Sequence, residues 1–155
     1  MRKSTARDEK VVNFAARFLG RIDRWIYRVS GGNRKLRILG RGKAEGLLLT
    51  TTGRKSGLPR TTPLLYLKDG DNVVIVASKA GMPHHPQWYL NVQARPEVTV
   101  EIGAEKIPMT ARMASPGEKA SLWPRLVEIY PSYDDYQART DRDIPVLILS
   151  RKRSH

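Results

Sequence analysis

From Gly46 onward the chain is written as short apolar and β-branched runs cut by turn residues, and that rhythm constrains the fold most tightly. Gly46 to Thr52 is the first run and Arg60 to Lys68 the second, joined by Gly53-Arg54-Lys55-Ser56-Gly57-Leu58-Pro59. Asp69-Gly70-Asp71-Asn72 reads as a tight turn into a third strand, Val73 to Ser78. Val98 to Ile102, Gly103-Ala104 and Glu105 to Met113 read as a further hairpin. Val146-Leu147-Ile148-Leu149 is apolar without alternation, the pattern of a strand covered on both faces. About six strands in roughly 110 residues, with few and short helices, predict a mainly β protein with helices (α+β), its sheet forming a closed or split barrel.

Helices are predicted at three further places. Pro86 to Ala94 is helical with Pro at its first position. Ser115-Pro116-Gly117-Glu118 is a capping box, so a helix starts there, and Pro124 is expected to kink or split it. Ser132, followed by Asp135, is a weaker start. Upstream, Val11, Ala15, Phe18, Ile22, Trp25, Ile26 and Val29 recur at helical spacing over residues 10–29, and Gly31-Gly32-Asn33 ends the stripe. The expected organisation is a basic N-terminal helical extension (1–43), a split-barrel domain (44–150) and a basic tail (151–155).

Composition narrows the chemistry. Cysteine is absent, which excludes disulfides, thiolate metal sites, iron–sulfur clusters and a cysteine nucleophile. No apolar run approaches the roughly 20 residues that span a bilayer. The charged N-terminus lacks a secretory h-region, so a cytoplasmic protein is expected. Net charge is +13, and 13 of the 28 Lys and Arg fall in residues 1–43 against three Asp and Glu. Such a field attracts nucleic acid, an acidic membrane or a polyanionic small ligand. No helix-turn-helix, zinc finger or RNP-like strand is visible, so no nucleic acid is expected. The 10–29 stripe packs on the barrel or lies on an anionic membrane with Phe14, Phe18, Trp25 and Ile26 inserted, peripheral to the inner face of the plasma membrane.

Gly53-Arg54-Lys55-Ser56-Gly57, with Arg60 just beyond, combines turn-forming glycines, exposed N–H groups and three cations, a recipe for holding phosphate or carboxylate. It is no Walker loop, because Leu58-Pro59 follows where Lys-Ser or Lys-Thr would be needed. Gly40-x-Gly42-x-x-x-Gly46 misses the dinucleotide spacing by one residue. Ser78-Lys79-Ala80-Gly81 ends a strand and adds a fourth cation. His84-His85 reads as a loop pair rather than a metal site. Tyr130, Tyr133 and Tyr136 sit beside Ser132, Asp134 and Asp135, poor core sequence. They read as flat walls with hydroxyls, suited to clamping a planar ring and donating a proton.

Three segments together resemble the deazaflavin-dependent nitroreductase family: Leu49 to Leu64, Ala77-Ser78-Lys79-Ala80-Gly81 through Asn91, and Tyr130 to Tyr136. The resemblance covers about residues 44–150 and implies a split β-barrel, related to the FMN-binding kind, that uses coenzyme F-420, a strongly anionic deazaflavin. It implies that the loop Arg54, Lys55, Ser56, Gly57 and Arg60 grips the phosphate and glutamate tail. Thr62, Pro63, Leu64, Ser78, Lys79, Ala80 and Gly81 would border the deazaflavin, supported by Trp88 and Asn91. Tyr130, Tyr133 and Tyr136, with Ser78, would line the acceptor side, Tyr133 and Tyr130 ranking first. The implied activity is hydride transfer to a small planar acceptor such as a quinone or nitroaromatic. FMN is the alternative cofactor, since the same cations suit its phosphate. Whether the protein is a monomer or an oligomer is not legible.

Overall fold

The computed structural model describes residues 45–151. The expected helix over 10–29, the stop after it and the tail beyond Arg151 lie outside the described residues. Six antiparallel strands form a closed barrel: β1 (Glu45–Thr52), β2 (Pro59–Asp69), β3 (Asn72–Val76), β4 (Glu97–Ile102), β5 (Glu105–Met113) and β6 (Val146–Arg151). Around the barrel they run β1-β2-β3-β6-β5-β4, and β4 pairs back onto β1. The predicted barrel is therefore present. Among the described residues three α-helices decorate it: α1 (Gln87–Ala94), α2 (Pro116–Ile129) and α3 (Ser132–Arg139).

Alternation along each strand sorts side chains between two cores. Leu47, Leu49, Ile75, Val100, Met109 and Leu149 fill the interior. Their neighbours Val74, Val76, Val146 and Ile148 point outward and are covered by Leu122 and Leu126 of α2, with Tyr133 of α3. This double burial explains why Val146 to Leu149 shows no alternation. Burying one apolar side chain completely, as the barrel's outer face does with Leu126 of α2, contributes about 1.5–3 kcal/mol.

Local signals held with three adjustments. Strand β3 stops at Val76 rather than Ser78, because the Ala77 N–H turns to the Pro145 carbonyl (2.9 Å) and Ser78 opens a tight turn. Pro86 caps α1 from outside rather than occupying its first turn. The capping box of α2 forms in full, yet Pro124 does not split the helix. Pro124 and Ala120, whose carbonyl loses its partner, both face solvent, where water can hydrogen-bond that oxygen.

Candidate active site

Strand registers gather the candidate residues at one end of the barrel. The hairpin joining Thr52 to Pro59 lies at the end where β3 finishes, β6 begins and β5 finishes, as the pairs Val76–Val146 and Met113–Leu147 require. Helix α1 is bonded to the hairpin there, and the Ser78 turn and the 140–145 connection emerge beside it.

The hairpin is closed by two backbone bonds, Gly53 N–H to the Leu58 carbonyl and Gly57 N–H to the Gly53 carbonyl, each 2.8 Å. The Ser56 hydroxyl accepts from the Leu58 N–H at 3.2 Å, so it shapes the loop. Gly57 sits at φ +71°, and a Cβ on Gly53 would meet the Ser56 Oγ at 2.6 Å. Arg54 is fixed by neutral partners: its Nη1 donates to Asn91 Oδ1 (2.9 Å) and its Nη2 to Gln87 Oε1 (2.8 Å). Asn91 is buried, also accepts the Arg54 N–H (3.2 Å), and donates through Nδ2 to Thr51 Oγ1 (3.3 Å). Amides orient the guanidinium without cancelling its charge. Lys55 and Arg60 are exposed, and among the described residues neither they nor Arg54 pairs with a carboxylate. Three uncompensated cations on one rim fit a polyanionic ligand. Beyond them, Thr62, Pro63 and Leu64 pair with Leu49, Leu48 and Leu47, and Leu64 packs against the interior core.

The Ser78 segment is a short 3-10 turn, Lys79–Gly81, in which Lys79 (φ 44°), Ala80 (φ 52°) and Gly81 (φ 73°) all take left-handed backbone. Two consecutive non-glycine residues there cost on the order of 1 kcal/mol each or more, and persist only where surroundings over-determine them. Arg142 supplies that constraint. It donates from Nε to the Met82 carbonyl (2.9 Å), from Nη1 to the Ala77 carbonyl (3.2 Å) and from Nη2 to the Ser78 carbonyl (2.7 Å). Nη1 also faces His85 Nδ1 at 3.0 Å. Burial, with the Arg142 charge adding, holds His85 below the ordinary imidazole range, so the neutral ring accepts this bond. The His85 ring lies 4.7 Å from Tyr89 at a tilt of 50°, Tyr89 meets Trp88 edge-on at 6.4 Å, and both Tyr89 and Trp88 are buried in the barrel core. Asn91 is thus bonded to the hairpin, while Trp88 packs in the barrel core against Tyr89.

The tyrosines do not lie on one continuous helix. Helix α2 ends at Ile129, Tyr130 is its C-cap, and α3 begins at Ser132. Their rings nevertheless meet, Tyr130 to Tyr133 at 4.9 Å, Tyr130 to Tyr136 at 6.0 Å and Tyr133 to Tyr136 at 6.4 Å. Tyr130 and Tyr136 are half-buried with hydroxyl oxygens 2.8 Å apart. Tyr133 is only 5% exposed and packs in the outer core, behind that pair rather than as a free wall. Burial raises the phenols of Tyr133 and Tyr136 above their usual range, so both keep their protons at neutral pH. The cluster adjoins the Ser78 turn directly: a Cβ on Gly81 would lie 2.7 Å from the Tyr136 carbonyl oxygen. A groove of about 250 Å³ lined by Thr50 to Thr52, Pro59, Glu97 to Thr99 and Pro108 lies on the β1–β4 flank instead.

Arg142 and Gln87 were missed by sequence reasoning. Arg142 stands between Asp141 and Asp143, which reads as a solvated loop, and its partners are 57–65 residues upstream. Only the pairing of β3 with β6 brings them together.

Comparison with known proteins agrees with this geometry. The family model described as F420H(2)-dependent quinone reductase matches residues 19–151. The chain belongs to this family. The family carries the oxidoreductase class and the coenzyme F-420 that the motifs implied. Among relatives of the F420H(2)-dependent quinone reductase family, a putative member from Mycobacterium tuberculosis is 46% identical over 103 residues, 66% of this chain and 87% of the relative. Another from the same organism is 43% identical over 130 residues, 82% of this chain and 86% of the relative. A solved F420-H2 dependent reductase superposes with a TM-score of 0.64 at 45% identity, covering 68% of this chain and 93% of its own. The donor set at the barrel end fits the family's cofactor.

Proposed function

We propose that this chain passes a hydride from reduced coenzyme F-420 to a small planar acceptor, a quinone before a nitroaromatic, at the barrel end where the cationic hairpin and the tyrosine cluster meet. The observation that carries the reading is the set of three exposed, uncompensated cations, Arg54, Lys55 and Arg60, on the rim the registers share with Ser78. Arg54, Lys55 and Arg60, joined by Lys79, hold the anionic phosphate and glutamate tail. Thr62, Pro63, Leu64 and the Ser78–Gly81 turn border the ring. When bound, the deazaflavin supplies two electrons as hydride, and its carbon at the reactive position disfavours one-electron routes.

The chain's own residues supply orientation and the proton. The Tyr130–Tyr136 hydroxyl pair, in which burial holds the Tyr136 phenol above its usual range, donates a hydrogen bond or proton to the oxygen that gains charge on the acceptor. The Ser78 hydroxyl is the second donor. Tyr133 fixes the Tyr130 ring through its edge contact. The finer placement, cytoplasmic and peripheral to an anionic membrane through residues 10–29, belongs to the same proposal and rests on the amphipathic stripe. Among the described residues no helix is long and apolar enough to cross a membrane.

With reduced cofactor and menadione as acceptor, Tyr130→Phe and Tyr136→Phe should each lower kcat by about 100-fold or more, the range of a general-acid contribution. Cofactor affinity should stay within about twofold. Unchanged turnover in both variants removes the hydroxyl pair from the reaction.

A further inference from the structure

The acceptor-side tyrosines, Tyr130 to Tyr136, and the cofactor-side turn, Ser78 to Gly81, come from separate segments of the sequence, and the structure joins them physically in two ways. Gly81 lies against the backbone of Tyr136, so close that no side chain fits between them. Arg142 makes the second joint. It leaves the connection after α3, where the Gln137 side chain latches both sides of it: Nε2 donates to the Arg142 carbonyl (2.9 Å) and Oε1 accepts the Ile144 N–H (3.0 Å). From there its guanidinium spans the carbonyls of Ala77, Ser78 and Met82 with separate N–H groups.

We propose that Arg142 is a positioning residue for hydride transfer: its fork holds the Ser78–Gly81 turn in left-handed backbone and sets the Ser78 hydroxyl in register with the tyrosine helix. The assignment rests on the function proposed above for that turn. Three diverging carbonyls need a planar fork. A lysine ammonium keeps the charge but is a single point and cannot meet all three. Neutral His85, accepting from the same guanidinium, keeps the fork from rotating away.

Two measurements on the full chain test the role independently. In cofactor-free protein, amide exchange at Gly81 and Met82, whose N–H groups close the turn onto the Ser78 and Lys79 carbonyls (2.9 and 3.0 Å), reports the turn itself. Arg142→Gln and Arg142→Lys should each raise those exchange rates at least about tenfold. Lys119→Met, which frees the same connection from its bonds to Asp143 and the Ile144 carbonyl without touching the turn, should leave them within about twofold. With reduced cofactor bound and menadione added, both Arg142 variants should slow single-turnover transfer about tenfold or more. Ser78→Ala should slow transfer in the parent but add less than about twofold to Arg142→Gln, because the hydroxyl is already displaced. Exchange and transfer held at parent levels in Arg142→Lys would overturn the proposal. So would equal exchange in the Lys119 variant, or a Ser78 effect that adds in full to Arg142→Gln. If the parent binds no deazaflavin, the proposed function fails while the exchange result still decides what Arg142 does to the turn.

Discussion

A methyl group on Gly81 would sit 2.7 Å from the Tyr136 carbonyl oxygen and 2.9 Å from its Cα, at a φ of +73°. Both the steric clash and the left-handed backbone oppose any side chain there. Gly81→Ala should therefore destabilise the fold by more than about 1 kcal/mol, read from the urea midpoint, and separate the turn from α3. An unchanged midpoint would mean that the turn and the helix are not packed as described. This residue belonged to a motif readable from the sequence, but its reason did not. The Arg54 loop was legible as a candidate because its residues are local: two glycines and three cations fall within eight residues. The left-handed Lys79 and Ala80 were hidden, since neither residue type announces that backbone, and what enforces it is Arg142 from a distant connection.

Elements were legible wherever the signal was local and the cover complete. The Ser115–Glu118 capping box could be read directly, and it forms with the Ser115 Oγ accepting from the Glu118 N–H (3.2 Å) and Glu118 Oε1 accepting from the Ser115 N–H (3.0 Å). Arg112 on β5 adds a bidentate pair to the same carboxylate at 2.7 and 2.8 Å. That hydrogen-bonded pair, reinforced by the Ser115 N–H, lowers the Glu118 carboxyl from 4.5 to about 2. A depressed carboxyl stabilises the fold above its unfolded value, and the contribution fades as pH falls from about 4.5 toward 2. The Tm of the parent should thus exceed that of Glu118→Gln at pH 5, and the gap should narrow toward pH 3. A gap that is constant across this window would contradict the pairing. The tyrosine segment was less legible. Spacing by three suggests one helical face, but Pro131 breaks the chain between α2 and α3, and tertiary packing rather than helical phase brings the rings together. Tyr133, with acids beside it, looked unsuited to a core. Asp134 is held elsewhere: it accepts from Trp123 Nε1 at 2.7 Å on the exposed side, leaving the Tyr133 ring free to pack inward.

At the scale of the molecule, the interior of this barrel is filled by side chains, so its ligand chemistry is built at an end or on the outer face. Here the pairing order β1-β2-β3-β6-β5-β4 sends the cationic hairpin, the Ser78 turn and the Arg142 connection to the same end, so sequence separation of up to about ninety residues becomes adjacency. The presence of a barrel was legible from strand rhythm. Which loops share an end follows only once the order of pairing is known. The central claim is electrostatic: the rim formed by Arg54, Lys55 and Arg60 anchors the anionic tail of the deazaflavin. The most direct measurement is a fluorescence titration of the full chain with coenzyme F-420 across ionic strength, alongside a variant with Arg54, Lys55 and Arg60 changed to Gln. The account predicts binding in the parent that weakens steeply as salt rises, and a variant at least about 100-fold weaker at low salt with a much shallower salt dependence. Equal affinity and equal salt slope in parent and variant, or no binding by the folded parent at low salt, would contradict it.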